Sequence, residues 1–254
     1  MHKHDEDQVP LEAVVKRAEA IQDEDKAAPF QVKASATGDK VKVNFYMESM
    51  CPGCKYYTKT VLGKLMEKPD FVSMVDFKLV PYGNGRLAGE EIQCQHGDQE
   101  CEGNTILACM QEHYPITAES LGFVPAFVCM EEESGVPADD FKKCAEMHNI
   151  DQATIMTCAN GPQGKALALA AAQDTESLNP PHEYAPWVTL NGQPMRDEAY
   201  DLQKNVCKAY DAGDKAASGL CSEASLKAVA KRDRAMLHDG GGRGFSVCHN
   251  DAWA

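Results

Sequence analysis

The chain has 254 residues, 43% apolar and 25% charged, proportions of an ordinary folded protein, so disorder throughout is excluded. Asp and Glu (39) outnumber Lys and Arg (25), the net charge is −14, and no basic block occurs, which excludes a nucleic-acid partner. The longest run of small apolar residues, 166–172, is far shorter than the roughly 20 residues that span a bilayer, so no membrane partner is expected.

Residues 1–38 are polar and acidic. Leu11, Val14, Ala18 and Ile21 have the spacing of one short amphipathic helix, and Ala27 to Asp39 reads as linker. The stretch is expected to be a solvated arm or removable pro-segment. Its opening, MHKHDED, lacks the apolar region of a signal peptide.

Val41, Val43, Phe45 and Met47 alternate with Lys42, Asn44 and Tyr46, which predicts a strand. Cys51-Pro52-Gly53-Cys54 follows, and then Tyr57, Val61, Leu62 and Leu65 recur at helical spacing until Pro69 stops the helix. Phe71 to Val80 reads as a second strand, which completes a βαβ unit with the Cys pair at the helix N-terminus. Pro81 to Gly89 is turn-rich, and Cys94 to about Leu178 reads mainly helical. Trp187 to Leu190 is a short strand, Asn191-Gly192 a hairpin turn, and Asp197 to Tyr210 a last helix. The expected organisation is an arm (1–38), an α/β domain (39–212) with a helical insertion at about 93–178, and a flexible tail (213–254).

Eleven cysteines, eight of them between Cys51 and Cys158, suit an oxidising or secretory compartment better than a reducing cytosol. Scattered buried thiols are the bland alternative. No Asn-x-Ser/Thr sequon occurs, so N-glycosylation is not expected. The sequence pI of about 5.0 relieves charge repulsion near pH 5 and is compatible with an acidic compartment.

Two thiols three positions apart at a helix start can close a disulfide. The helix terminus stabilises a thiolate at the first, so the pKa of Cys51 can fall from about 8.5 to as low as ~3.5. Cys51 then attacks a substrate disulfide, and Cys54 resolves the mixed disulfide. A zinc site lacks a second Cys-x-x-Cys, so no metal is expected, nor any cofactor. A structural disulfide is disfavoured by the βαβ context.

Cys94-Gln95-His96-Gly97, with Glu100-Cys101, Asn104 and Cys109, reads CQHGDQECEGNTILAC. This resembles the long signature of the gamma-interferon-inducible lysosomal thiol reductases (GILT). Supporting matches are Leu79-Val80-Pro81-Tyr82-Gly83-Asn84 and the stretch from Pro181 to Val188, so the resemblance covers about Val41 to Cys221. It implies a thioredoxin-like fold interrupted by a mainly helical, disulfide-stapled insertion, and an active pair at Cys51 and Cys54. It also implies reduction of disulfides in unfolded or partly unfolded proteins at acidic pH, in a lysosome, an endocytic compartment or outside the cell. Pro186 is expected to be cis, with the Ala185 backbone beside it to pair with substrate. Cys94, Cys101, Cys109, Cys129, Cys144, Cys158, Cys207 and Cys221 are candidates for structural disulfides. His96 and Gly97 are expected to shape a turn, and His182 to lie on a surface loop. Nine cysteines remain after the active pair, an odd number, and Cys248 is the candidate for a free thiol or a disulfide-linked homodimer. A small thiol is the expected reductant. Two other functions stay open: a thiol oxidase or isomerase on the same fold, and a non-catalytic disulfide-stapled binding protein.

Overall fold

A computed structural model of the chain describes residues 39–210, 219–228 and 247–250. The helix expected over Leu11 to Ile21 and most of the expected tail lie outside the described residues. Among the described residues, no helix is long and apolar enough to cross a membrane.

The core is built on β1 (Val41–Met47). Its odd-numbered residues are all buried, and Phe45 packs against Tyr57 at 5.3 Å between ring centroids and against Phe127 at 6.5 Å. On the opposite face Tyr46 joins Val80, Tyr82, Trp187, Ala171 and Ala172. A strand buried on both faces needs a covering layer on each side, and the helices supply both.

Helical turns follow β1 directly: α1 (Pro52–Tyr57), a π-helical stretch Thr58–Leu62, and α2 (Gly63–Met66). Then come α3 (Pro69–Met74) and β2 (Val75–Pro81). The expected strand from Phe71 therefore begins four residues later. Pro69 ends one helix and also starts the next, because a proline at the first helical position needs no N–H partner. Phe71, Val72 and Met74 are buried at helical spacing.

β1 pairs with β2 in parallel, from Val41 opposite Val75 to Met47 opposite Pro81. On its other side lies β6 (Trp187–Leu190), antiparallel, with Tyr46 opposite Trp187. β7 (Gln193–Pro194) closes the order β2-β1-β6-β7 through the Asn191-Gly192 hairpin. The outer edge of β2 is engaged at Leu79, whose N–H and C=O both bond the Gln111 side chain, at 2.7 and 2.9 Å. This limits strand addition at that edge.

Between β2 and β6 the chain forms a small hairpin in the turn-rich stretch, β3 (Arg86–Ala88) with β4 (Glu91–Gln93). Five helices follow: α4 (Asp98–His113), α5 (Val124–Glu132), α6 (Pro137–Met147), α7 (Gln152–Ala159) and α8 (Pro162–Glu176). Disulfides tie α4 to α7 (Cys109–Cys158) and α5 to α6 (Cys129–Cys144). After β5 (Tyr184–Ala185), β6 and β7 the chain makes a 3-10 turn (Arg196–Asp201) and α9 (Leu202–Ala209), stapled by Cys207–Cys221.

The Cys109–Cys158 bridge closes a separation of 49 residues. In the chain-entropy account such a loop contributes about 4 kcal/mol. The Cys109→Ala/Cys158→Ala chain is expected to lose about 2–5 kcal/mol of unfolding free energy in urea titrations. A change below about 0.5 kcal/mol would show that the helical block holds without this staple.

Candidate active site

The site lies where β1 ends. Glu48, Ser49 and Met50 carry the chain from the strand to Cys51, the N-cap residue of α1. Two interactions fix this short path. The Ser49 N–H donates to Asn104 Oδ1 at 2.9 Å, and the Ser49 hydroxyl donates to the Glu100 carbonyl at 3.2 Å. Gly103 permits the approach, since a Cβ there would lie 2.5 Å from Ser49 Oγ and 2.6 Å from Pro137 Cβ. The second anchor is the Glu48 side chain, fully buried, with Oε1 accepting the Asn84 N–H at 2.6 Å. Gly83, at φ +54°, sits where any Cβ would fall 2.2 Å from the Glu48 side chain. The segments around Gly83-Asn84 and Glu100-Asn104 thus clamp the approach to Cys51.

His96 completes this polar cluster. Its Nδ1 lies 2.5 Å from Glu100 Oε2 and 3.6 Å from Glu48 Oε2, and its backbone N–H donates to Glu100 Oε1 at 3.1 Å. The expected turn at His96-Gly97 is present, and Gly97 caps α4. The imidazole also joins two buried carboxylates, a contact that the sequence pattern does not announce. Burial, and then the neighbouring Glu100, push the Glu48 carboxyl up to about 8.

Cys51 and Cys54 are both fully buried. They are not bonded to each other. Cys51 is joined to Cys248, and Cys54 is the thiol left over. The odd cysteine is therefore Cys54 rather than Cys248. Local spacing suggests Cys51–Cys54, but the strand carrying Cys248 brings its Cα to 6.2 Å from that of Cys51, across 197 residues of sequence. Burial, and then Glu48, push the Cys54 thiol well above the ordinary range.

Ala185 and Pro186 stand against the same sulfur. The Ala185–Pro186 bond is cis, and the Ala185 carbonyl oxygen is 3.6 Å from Cys51 Sγ. A groove of about 250 Å³ runs beside Pro186, lined by Tyr57, Tyr184, Val188 and Tyr200 among others. His182 is half-buried and offers its carbonyl to the Asn250 side chain at 2.9 Å. Cys94 pairs with Cys101.

Glu48, His96 and Cys248 bring a carboxylate, an imidazole and a sulfur within 4.8 Å of one another. A disulfide sulfur is not a thiolate ligand, so with Cys248 bonded to Cys51 the trio offers a metal only two donors.

Residues 42–148 match the family described as gamma interferon inducible lysosomal thiol reductase (GILT). The gamma-interferon-inducible lysosomal thiol reductase of Mus musculus is 35% identical over 192 residues, 72% of each chain. The gamma-interferon-responsive lysosomal thiol protein of Arabidopsis thaliana is 37% identical over 175 residues, 67% of this chain and 71% of that one. Among solved structures, oxidised DsbA of Mycobacterium tuberculosis aligns with a TM-score of 0.50 at 12% identity, over 81% of this chain and 97% of that one. That last likeness speaks for the fold alone. The chain belongs to the gamma-interferon-inducible lysosomal thiol reductase family and is a thiol-disulfide oxidoreductase on a thioredoxin-like fold.

Proposed function

We propose that the chain reduces disulfides of unfolded or partly unfolded proteins, with Cys51 attacking and Cys54 resolving. The Cys51 thiolate attacks one substrate sulfur and forms a mixed disulfide while the other sulfur leaves as a thiolate. Cys54 then attacks Cys51, the reduced substrate departs, and a small thiol restores the dithiol. The observation that carries this reading is the Cys51–Cys248 bond beside a free Cys54 thiol. It has the chemistry of a mixed disulfide awaiting its resolving thiol. Ala185 and Pro186, against the same sulfur, supply an edge for an extended substrate. A disulfide-linked homodimer draws no support from an odd cysteine that is buried.

An acidic working compartment, lysosomal or endocytic, or secretion from the cell fits the family and the other four disulfides. Buried acids support it independently. Glu48 is pushed up to about 8, and burial drives Glu131 well above the carboxylate range. The folded chain thus holds protons that the unfolded chain releases above about pH 4.5. Stability from Glu48 is fully present below that pH and is lost as pH rises toward 8, and Glu131 acts in the same direction. Protonated Glu48 also no longer repels a thiolate at Cys54.

Two outcomes follow for mutants. Cys51→Ser is expected to abolish insulin reduction, whereas Cys54→Ser accumulates enzyme–substrate mixed disulfides on non-reducing gels. Equal residual turnover in both would overturn the assigned roles. Between pH 5 and 8 the wild-type Tm is expected to decline. Glu48→Gln should flatten that decline, the loss of unfolding free energy being smaller by up to about 1.4 kcal/mol per pH unit in the titrating range. Its reduction rate should match wild type near pH 5 and exceed it above pH 8. A large loss at pH 5 would instead give Glu48 a proton-transfer role.

A further inference from the structure

The short segment Val247–Asn250 has its own seat in the site. Its strand, β8 (Cys248–His249), pairs antiparallel with β5, setting Cys248 opposite Ala185 and His249 opposite Tyr184. Side chains of the surrounding frame read its backbone. Asn84 Nδ2 donates to the Cys248 carbonyl at 2.7 Å, and Gln95 Nε2 donates to the His249 carbonyl at 2.8 Å. Asn250 in turn donates to the His182 carbonyl at 2.9 Å. Val247 and His249 line the groove beside Pro186, while Cys248, between them, reaches Cys51. Successive residues of a strand point to opposite sides, so this alternation lets one segment fill the groove and offer its sulfur at once. Main-chain pairing at a strand edge is indifferent to sequence, so the edge that holds this segment serves any other extended chain.

On the reading that Cys51 is the attacking thiol, we infer that Val247–Asn250 is a tethered redox cap: it occupies the substrate's track, and Cys248 is a third exchanging thiol that closes Cys51. The three cysteines hold one disulfide in two arrangements. In the capped form Cys51 is bonded to Cys248 and Cys54 is a thiol. To open it, Cys54 loses its proton and its thiolate attacks Cys51 Sγ. The Cys51–Cys54 bond forms, the Cys51–Cys248 bond breaks, and the electron pair leaves on Cys248 Sγ, which takes up a proton. One thiol and one disulfide stand on each side, so no outside oxidant or reductant is consumed. His96 Nε2 lies 4.0 Å from the departing sulfur. With Cys51 and Cys54 both fully buried in the capped form, a protein disulfide has no path to either sulfur until the segment leaves. This assigns Gln95, within the CQHG stretch, to holding the cap.

The test uses the full chain, reduced and then reoxidised with one equivalent of a small disulfide. Free thiols are blocked with N-ethylmaleimide and the cross-linked peptides are mapped by mass spectrometry. The expected result is a Cys51–Cys248 cross-link within the monomer band. Insulin reduction started with limiting small thiol should show a lag that Cys248→Ser lacks. Gln95→Ala, which touches no sulfur, should lower the capped fraction relative to the open one about fivefold through the lost hydrogen bond. The cap is overturned if the monomer carries only Cys51–Cys54 with Cys248 alkylated, if the cross-link joins two copies, or if Cys248→Ser keeps the lag. An active Cys51→Ser chain would instead fell the catalytic reading, so the two fail separately.

Discussion

The site depends on one buried carboxyl. Glu48 leaves β1 pointing into the protein, where it is fully enclosed and accepts the Asn84 N–H. A lone carboxylate in such a place is costly to ionise, and the protein answers in two ways. It supplies a hydrogen bond and an imidazole, and it lets the group keep its proton up to about 8. Because Glu48 is pinned, the three residues from it to Cys51 follow a single path, and the Cys51 N–H closes the turn onto the Glu48 carbonyl at 3.2 Å. The position of the Cys51 sulfur is thus set by polar clamps on the preceding loop as well as by the helix that starts there.

The same region joins two parts of the chain that pack differently. β1 and its neighbours make the sheet, whereas Glu100 and Asn104 come from the first turns of α4 in the helical block. Cys94–Cys101 holds the start of α4 to the segment carrying Gln95 and His96. Cys109–Cys158 anchors the same helix further along. The staples therefore do more than stabilise a small core. They keep the donors and acceptors of α4 registered against the end of β1, so the loop that carries Cys51 rests on a frame held by bonds that do not involve Cys51, Cys54 or Cys248.

Much of this was legible in the sequence where physics is local. Strict alternation marked β1, Asn191-Gly192 marked the β6–β7 hairpin, and the helical spacing after Cys51 survived even with a π-helical stretch inside it. Pro69 misled because one proline both ended and began a helix. The β3–β4 hairpin was hidden in a glycine-rich stretch whose residues alternate too briefly to register. The site was legible as a Cys pair and a proline, but its polar clamps were not. A glutamate at a strand exit reads as solvated, and only the tertiary clash that Gly83 avoids reveals that it is tucked inside. The Cys51–Cys248 link was beyond reach for a different reason: a bond spanning 197 residues leaves no local pattern.

Acidity bears on chemistry and stability through the same atoms. Enclosing Glu48 and Glu131 near Cys54 is unfavourable whenever all three are ionised, since each carboxylate raises the cost of a thiolate there. Lowering the pH protonates Cys54 first, since its thiol lies well above the ordinary range, and then Glu48, which is pushed up to about 8. The cluster is then least strained electrostatically where an ordinary thiol is least reactive. In the proposed mechanism, exchange under those conditions relies on proximity rather than on bulk thiolate: Cys54 sits one helical turn from Cys51 and would need to ionise only transiently to attack it. A buried acid beside the Cys54 thiol is therefore an arrangement in which folding stability favours the acidic side of neutrality.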